Sequence, residues 1–110
     1  MRSQVVPDRL VVLTFDDGNR SDATVVAPLL ERYGFGATFF ITEGMNFLEN
    51  KTSRLTWPEV RALHEAGFEI GNHTAAHGPA DAQPTDEFRR DIEHIEQRCA
   101  EHGIPHPTSF

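Results

Sequence analysis

Two kinds of apolar pattern alternate along this chain. Residues 10–15 form a nearly unbroken apolar run that stops on Asp16, Asp17 and Gly18. Without the polar alternation of a one-sided sheet, the run predicts a strand buried on both faces, as in a parallel sheet covered by helices. After a polar loop, Val26, Leu29, Leu30 and Tyr33 recur at i, i+3, i+4 and i+7 and predict a helix. Pro28 lacks an N–H and crowds the preceding turn, so the regular helix should start late, near that residue, and end at Gly34 in a left-handed cap. Residues 37–41 form a second apolar strand, and residues 42–55 show no period and read as a long loop of the kind that lines a site. Thr56-Trp57-Pro58-Glu59 is a capping box with proline in the first turn, followed by Val60, Leu63 and His64 on one face and a stop at Ala66-Gly67. A third, shorter strand covers 68–71 and opens onto Asn72-His73-Thr74-Ala75-Ala76-His77-Gly78-Pro79. From Thr85, Phe88, Ile92, Ile95 and Cys99 make one continuous helical stripe, ended by Gly103 and Pro105, and residues 106–110 read as the approach to a fourth strand.

The order β-α-β-α-β-α-(β) belongs to an α/β protein whose parallel strands are joined by crossover helices. An open doubly wound sheet and a segment of an α/β barrel both fit it. A length of 110 residues suits one domain, 1–110. A net charge of −7 without a basic cluster argues against nucleic acid as a partner. Cys99 is the only cysteine, which excludes an internal disulfide and thiolate zinc sites. No stretch has the length of a signal peptide's apolar core or of a membrane span, so a soluble chain is expected, cytoplasmic as given.

The chemistry-bearing residues lie past strand ends. Asp16 and Asp17 leave the first strand, while His73 and His77 follow the third. Asp-Gly after an apolar run is also a hairpin turn signal. In a parallel sheet, however, both groups come to one face, where α/β proteins place their sites. Gly71, Gly78 and Pro79 argue against a helix around the two histidines, so a loop must bring them together. Two imidazoles and a carboxylate with open positions form the ligand set of catalytic zinc and of non-haem iron. His64, His94, His102 and His106 follow no strand and read as solvated surface residues. The sequence has no G-x-S-x-G elbow, Walker loop or dinucleotide glycine fingerprint.

Three blocks, Thr14-Phe15-Asp16-Asp17-Gly18, Gly36-Ala37-Thr38-Phe39-Phe40 and Gly67-Phe68-Glu69-Ile70-Gly71-Asn72-His73-Thr74-Ala75-Ala76-His77, resemble the first motifs of the polysaccharide deacetylase (NodB-homology) family. The resemblance covers roughly residues 10–78 and implies the N-terminal portion of a distorted (β/α) barrel. It implies a metal-dependent hydrolase that removes acetyl groups from a carbohydrate, with Asp16 as general base, Asp17, His73 and His77 as metal ligands, and Thr74 as support for the loop. The implied cofactor is one divalent transition metal, zinc foremost, with cobalt, nickel or iron as alternatives. The family's later blocks, including the leucine-histidine block that supplies the general acid, are absent from these 110 residues, which stop about where the third block should begin. The chain alone is therefore expected to self-associate through an unpaired strand edge and to lack turnover. Two alternatives remain at this stage: a metal- and sugar-binding module without hydrolysis, and an unrelated open α/β regulator that uses its acid pair for Mg²⁺.

Overall fold

Thr38-Phe39-Phe40-Ile41 is the centre of the fold, because its aromatic and branched side chains suit a strand with neighbours on both sides. The computed structural model describes residues 5–79 and 81–110. In it this strand, β2 (Thr38–Ile41), pairs in parallel with β1 (Thr14–Asp16) on one side and β3 (Glu69–Asn72) on the other. Thr14 stands opposite Thr38, and Phe39 opposite Ile70. Phe39 and Ile41 are wholly buried. The Phe39 ring stacks on Phe15 and meets Phe68 edge-on, both at 5.3 Å between centroids. Such pairs add to the burial of the rings themselves.

The crossovers form as their sequences dictate. A π-helical turn (Asp22–Val26) runs straight into α1 (Ala27–Tyr33), and Ala27 N–H donates to the Asp22 carbonyl five residues back. This refines the expected late start. The regular helix begins directly before Pro28, and the wider turn ahead of it accommodates a residue that cannot donate and would crowd the carbonyl four residues earlier. Gly34 closes α1 in the left-handed conformation (φ 69°).

α2 (Trp57–Glu65) opens with the complete capping box: Glu59 N–H donates to Thr56 Oγ1 at 3.3 Å, and Thr56 N–H donates to Glu59 Oε1 at 3.0 Å. Its buried face is Trp57, Val60 and Leu63. α3 (Thr85–Glu101) contributes Ile95 and Cys99 to the same core, and the Phe88 end of its stripe is only half buried. Burial pushes the Cys99 thiol up to about 11, with the Glu96 charge adding to it, so Cys99 is an inert core residue at neutral pH.

Three expectations change. β1 is three residues long, and Leu10, Val11 and Val12 ahead of it are exposed, because among the described residues no strand pairs with its outer edge and no helix covers these side chains. Residues 42–55 are not an open loop: successive turns fold Phe47 and Leu55 completely into the core. The fourth strand does not form as a ladder. Residues 105–110 pass beside β3, where Asn72 N–H donates to the Ser109 carbonyl at 2.9 Å.

Candidate metal centre

The two lips of the site come from the carboxyl ends of β1 and β3. On the β1 side the backbone turns sharply through Asp17 (φ 75°) and Gly18 (φ 67°). The turn is held by the segment that leads into α2: Leu55 N–H donates to the Gly18 carbonyl at 2.9 Å, and Arg54 Nη1 reaches the Asp17 carbonyl at 3.4 Å. A side chain at position 18 would strike the Phe47 ring, 2.8 Å away. The hairpin that Asp-Gly could have specified is absent, since the chain leaves the turn into the crossover.

On the β3 side the ladder runs one residue past the strand, with His73 N–H donating to the Ile41 carbonyl at 2.9 Å. Asn72 is buried and works in both directions: its amide donates to the Ile92 carbonyl on α3 at 2.9 Å, and its oxygen accepts from Thr74 N–H at 3.0 Å. Thr74 is buried too, and its hydroxyl accepts from His77 N–H at 3.1 Å. Thr74 (φ 64°) and His77 (φ 56°) both hold left-handed backbone. With Asp17, three non-glycine residues of the site occupy a region that costs a non-glycine residue of order 1–3 kcal/mol, the kind of strain that accumulates at functional sites.

These turns bring three ligand atoms together. Asp17 Oδ1 lies 2.9 Å from His77 Nε2 and 3.3 Å from His73 Nε2, and the two imidazole rings are 4.9 Å apart. The ring N–H directions do not meet the carboxylate oxygen in hydrogen-bonding geometry, and Asp17 Oδ1 is a buried atom with no hydrogen-bond partner among the described residues. Atoms bound about 2.0–2.2 Å from one tetrahedral ion stand roughly 3.3–3.5 Å from each other. The spacing and the unpartnered oxygen therefore fit a shared cation better than hydrogen bonds between the three side chains. Asp16 has a different outlook. It lines an open cleft of about 750 Å³ together with Phe40, His73, Thr74, His77 and Phe110, whereas Asp17 does not. The adjacent acids thus face different surroundings, one toward the imidazoles and one toward the cleft.

The five residues singled out in the sequence, Asp16, Asp17, His73, Thr74 and His77, come together on one face. Others were missed. Asp22 is almost fully buried, and its Oδ2 has no hydrogen-bond partner among the described residues. Burial, reinforced by the charges of Asp17 and Asp16 and only partly offset by the Asn19 backbone N–H, pushes its carboxyl up to about 6. A signal was present, since Asp22 extends the Val26–Leu30 stripe back by one turn. Glu43 was hidden in the aperiodic stretch after β2. Its side chain is 7% exposed and gathers Trp57, His94 and Arg98. His94 is therefore not a free surface residue as expected, and neither is His102, whose ring stacks on Trp57 at 5.6 Å. Burial pushes the Glu43 carboxyl up, but hydrogen bonds from His94 and Trp57 and the Arg98 charge outweigh it and hold it below the usual glutamate value.

The family model described as Polysaccharide deacetylase matches residues 3–110. The chain belongs to the polysaccharide deacetylase family. That membership removes the Mg²⁺ regulator from consideration. Among individual proteins, a bifunctional xylanase/deacetylase of Pseudobutyrivibrio xylanivorans is 32% identical over 85 residues, covering 77% of this chain and 13% of that protein. A family 4 carbohydrate esterase of Streptomyces lividans, solved with acetate, is similar in structure with a TM-score of 0.71 at 26% identity, over 88% of this chain and 47% of that one. A Streptococcus pyogenes deacetylase, also solved with acetate, shares the fold with a TM-score of 0.72 at 21% identity, over 88% of this chain and 44% of that one. The chain thus spans less than half of these solved relatives, and its three parallel strands with their helices are the N-terminal part of the NodB-type barrel.

Proposed function

We propose that this chain carries the metal-binding and base-bearing part of a metal-dependent hydrolase that removes acetyl groups from a carbohydrate. The observation that carries the reading is the meeting of Asp17 Oδ1 with His73 Nε2 and His77 Nε2 around an oxygen left without a hydrogen-bond partner. Two neutral imidazoles and one carboxylate suit zinc, and also accept cobalt, nickel or iron. A divalent ion held there supplies Lewis acidity and a water of lowered pKa.

The chain's own residues do the rest of the work assigned here. Asp16, on the cleft and outside the ligand set, takes a proton from the attacking water. Thr74 accepts from the His77 N–H and so fixes the backbone that carries the second imidazole. Phe40 and Phe110 give the cleft apolar walls against which a sugar ring or an acetyl methyl can lie. Acetate, found in the Streptomyces and Streptococcus relatives, is what such a reaction releases. Delivery of a proton to the leaving group is assigned to a later segment, as the family resemblance implies.

Metal content, measured by plasma emission on the purified chain and its variants, tests the assignment. The unaltered chain and Asp16→Asn should each hold about one equivalent of zinc. Asp17→Asn and the His73→Ala/His77→Ala pair should lose it. Equal metal in all four would overturn the site, and loss in Asp16→Asn with retention in Asp17→Asn would reverse the two acids. The 110 residues alone should release no acetate from an acetylated sugar oligomer even with zinc supplied, because general acid catalysis worth about 10²- to 10⁴-fold is missing.

A further inference from the structure

The buried carboxylate of Glu43 gathers three side-chain partners outside the metal centre, and the chemistry proposed above does not employ it. Trp57 Nε1 donates to its Oε1 at 2.8 Å, and His94 Nε2 lies 2.6 Å from its Oε2. Arg98 Nε stands 2.8 Å from Oε1, with its N–H turned off that line, so this pairing is one of charge rather than of hydrogen bonding. A carboxylate this buried survives as an anion only with such partners. They come from two helices: Trp57 opens α2, while His94 and Arg98 lie one turn apart on α3.

What Glu43 is attached to gives the arrangement its meaning. Thr42, wholly buried at the end of β2, donates its hydroxyl to the Ala75 carbonyl at 3.4 Å and accepts from Gly44 N–H at 3.0 Å. Gly44 lies so close to the ligand loop that a Cβ on it would be 2.8 Å from both the Ala76 carbonyl and His77 Cβ. Residues 42–44 therefore form the wall against which the His77 segment rests. His77 itself holds strained backbone, and its N–H is tied to the Thr74 hydroxyl.

We propose that Glu43 is a positioning residue for the metal centre: by tying Trp57, His94 and Arg98 to one buried carboxylate, it fixes the wall that seats His77. The inference rests on the reading of Asp17, His73 and His77 as metal ligands. Groups that orient metal ligands without touching the ion are worth about 10- to 100-fold in affinity. Their loss shows in the ligand field as well as in the binding constant.

The test uses the metals alone. Zinc affinity is measured by competition with a chromogenic chelator, and the visible spectrum of the cobalt(II) form is recorded. Four proteins are compared: the unaltered chain, Glu43→Gln, Trp57→Phe and Thr56→Ala. Glu43→Gln should bind zinc about 10- to 100-fold more weakly and alter the cobalt band. Trp57→Phe, which removes one donor and keeps most of the packing, should show a smaller loss in the same direction, and it decides the matter if Glu43→Gln does not fold. Thr56→Ala destabilises the start of α2 without touching Glu43 and should leave affinity and spectrum unchanged. Unaltered binding in both Glu43→Gln and Trp57→Phe, or an equal loss in Thr56→Ala, would overturn the positioning role while leaving the ligand assignment standing. Failure of the unaltered chain to bind either metal would overturn the ligand assignment, and the positioning role with it.

Discussion

The side of the molecule built on β3, α2 and α3 and the side built on β1 and α1 both carry apolar stripes in sequence and are unlike in burial. On the first, Val60, Leu63, Phe68, Ile70, Ile95 and Cys99 are all buried. On the second, Val11 (77% exposed), Val12 (72%), Tyr33 (61%) and Leu29 (51%) face outward. Hydrophobic sequence makes burial favourable, but burial occurs only where another element arrives to cover it. α2 and α3 cover the first side. Among the described residues the second shows a strand edge without a partner and an apolar helix stripe, and the chain spans less than half of the solved relatives. Exposed apolar edges of this kind invite pairing with another chain.

Substitutions can break or sharpen this contrast. The largest effect is expected at Phe39, which belongs to both sides because its ring contacts Phe15 and Phe68. Phe39→Ala should cost about 3–5 kcal/mol in urea unfolding; a loss below about 1 kcal/mol would mean the two sides do not share a core. Next comes Asp22, a buried acid on the side of β1 and α1. Its folded carboxyl stays protonated up to about pH 6, whereas the unfolded one ionises near 3.8. The unfolded chain thus binds fewer protons between those values, and stability falls as pH rises through the window. Asp22→Asn removes that loss, so it should add about 1–3 kcal/mol at pH 7 and nothing below about pH 3.8. A pH-independent effect in thermal unfolding would refute the argument. The smallest effect is expected at Val12, where Val12→Thr should change stability by less than about 0.5 kcal/mol. A larger loss, accompanied by a lower mass in solution, would show that a second copy of the chain covers this edge.

The element order and the cluster of Asp17, His73 and His77 were legible because local chemistry dictates them. Thr56 and Glu59 specify the start of α2 by themselves, and His73 and His77 are placed by the strand before them and the glycines around them. What was not legible depends on distant partners. Nothing near Leu10, Val11 or Val12 says that no described element will cover them, so a run that reads as buried lies open among the described residues. Glu43 gives no local sign of its role, because Trp57 lies 14 residues away and His94 lies 51 away. Phe47 and Leu55 sit in a stretch without period, since a series of turns buries residues one at a time rather than along a face.

The π-helical turn at Asp22–Val26 bears on how this chain can change its length. Its bond from Ala27 N–H to the Asp22 carbonyl encloses one residue more than an α-turn does. That extra residue is slack, which a single-residue deletion could remove and a single-residue insertion could have created. The same deletion inside α3 would rotate every later side chain by about 100° around the helix axis and turn the Ile95–Cys99 stripe away from the core. At the wide turn the change is absorbed before Ala27, so Leu30 keeps its place in the core and Asp17 its place beside His77. Pro28 sets the condition: the tighter turn would bring a carbonyl against its ring, so the shorter chain requires another residue at position 28. Length and proline are therefore bound to change together.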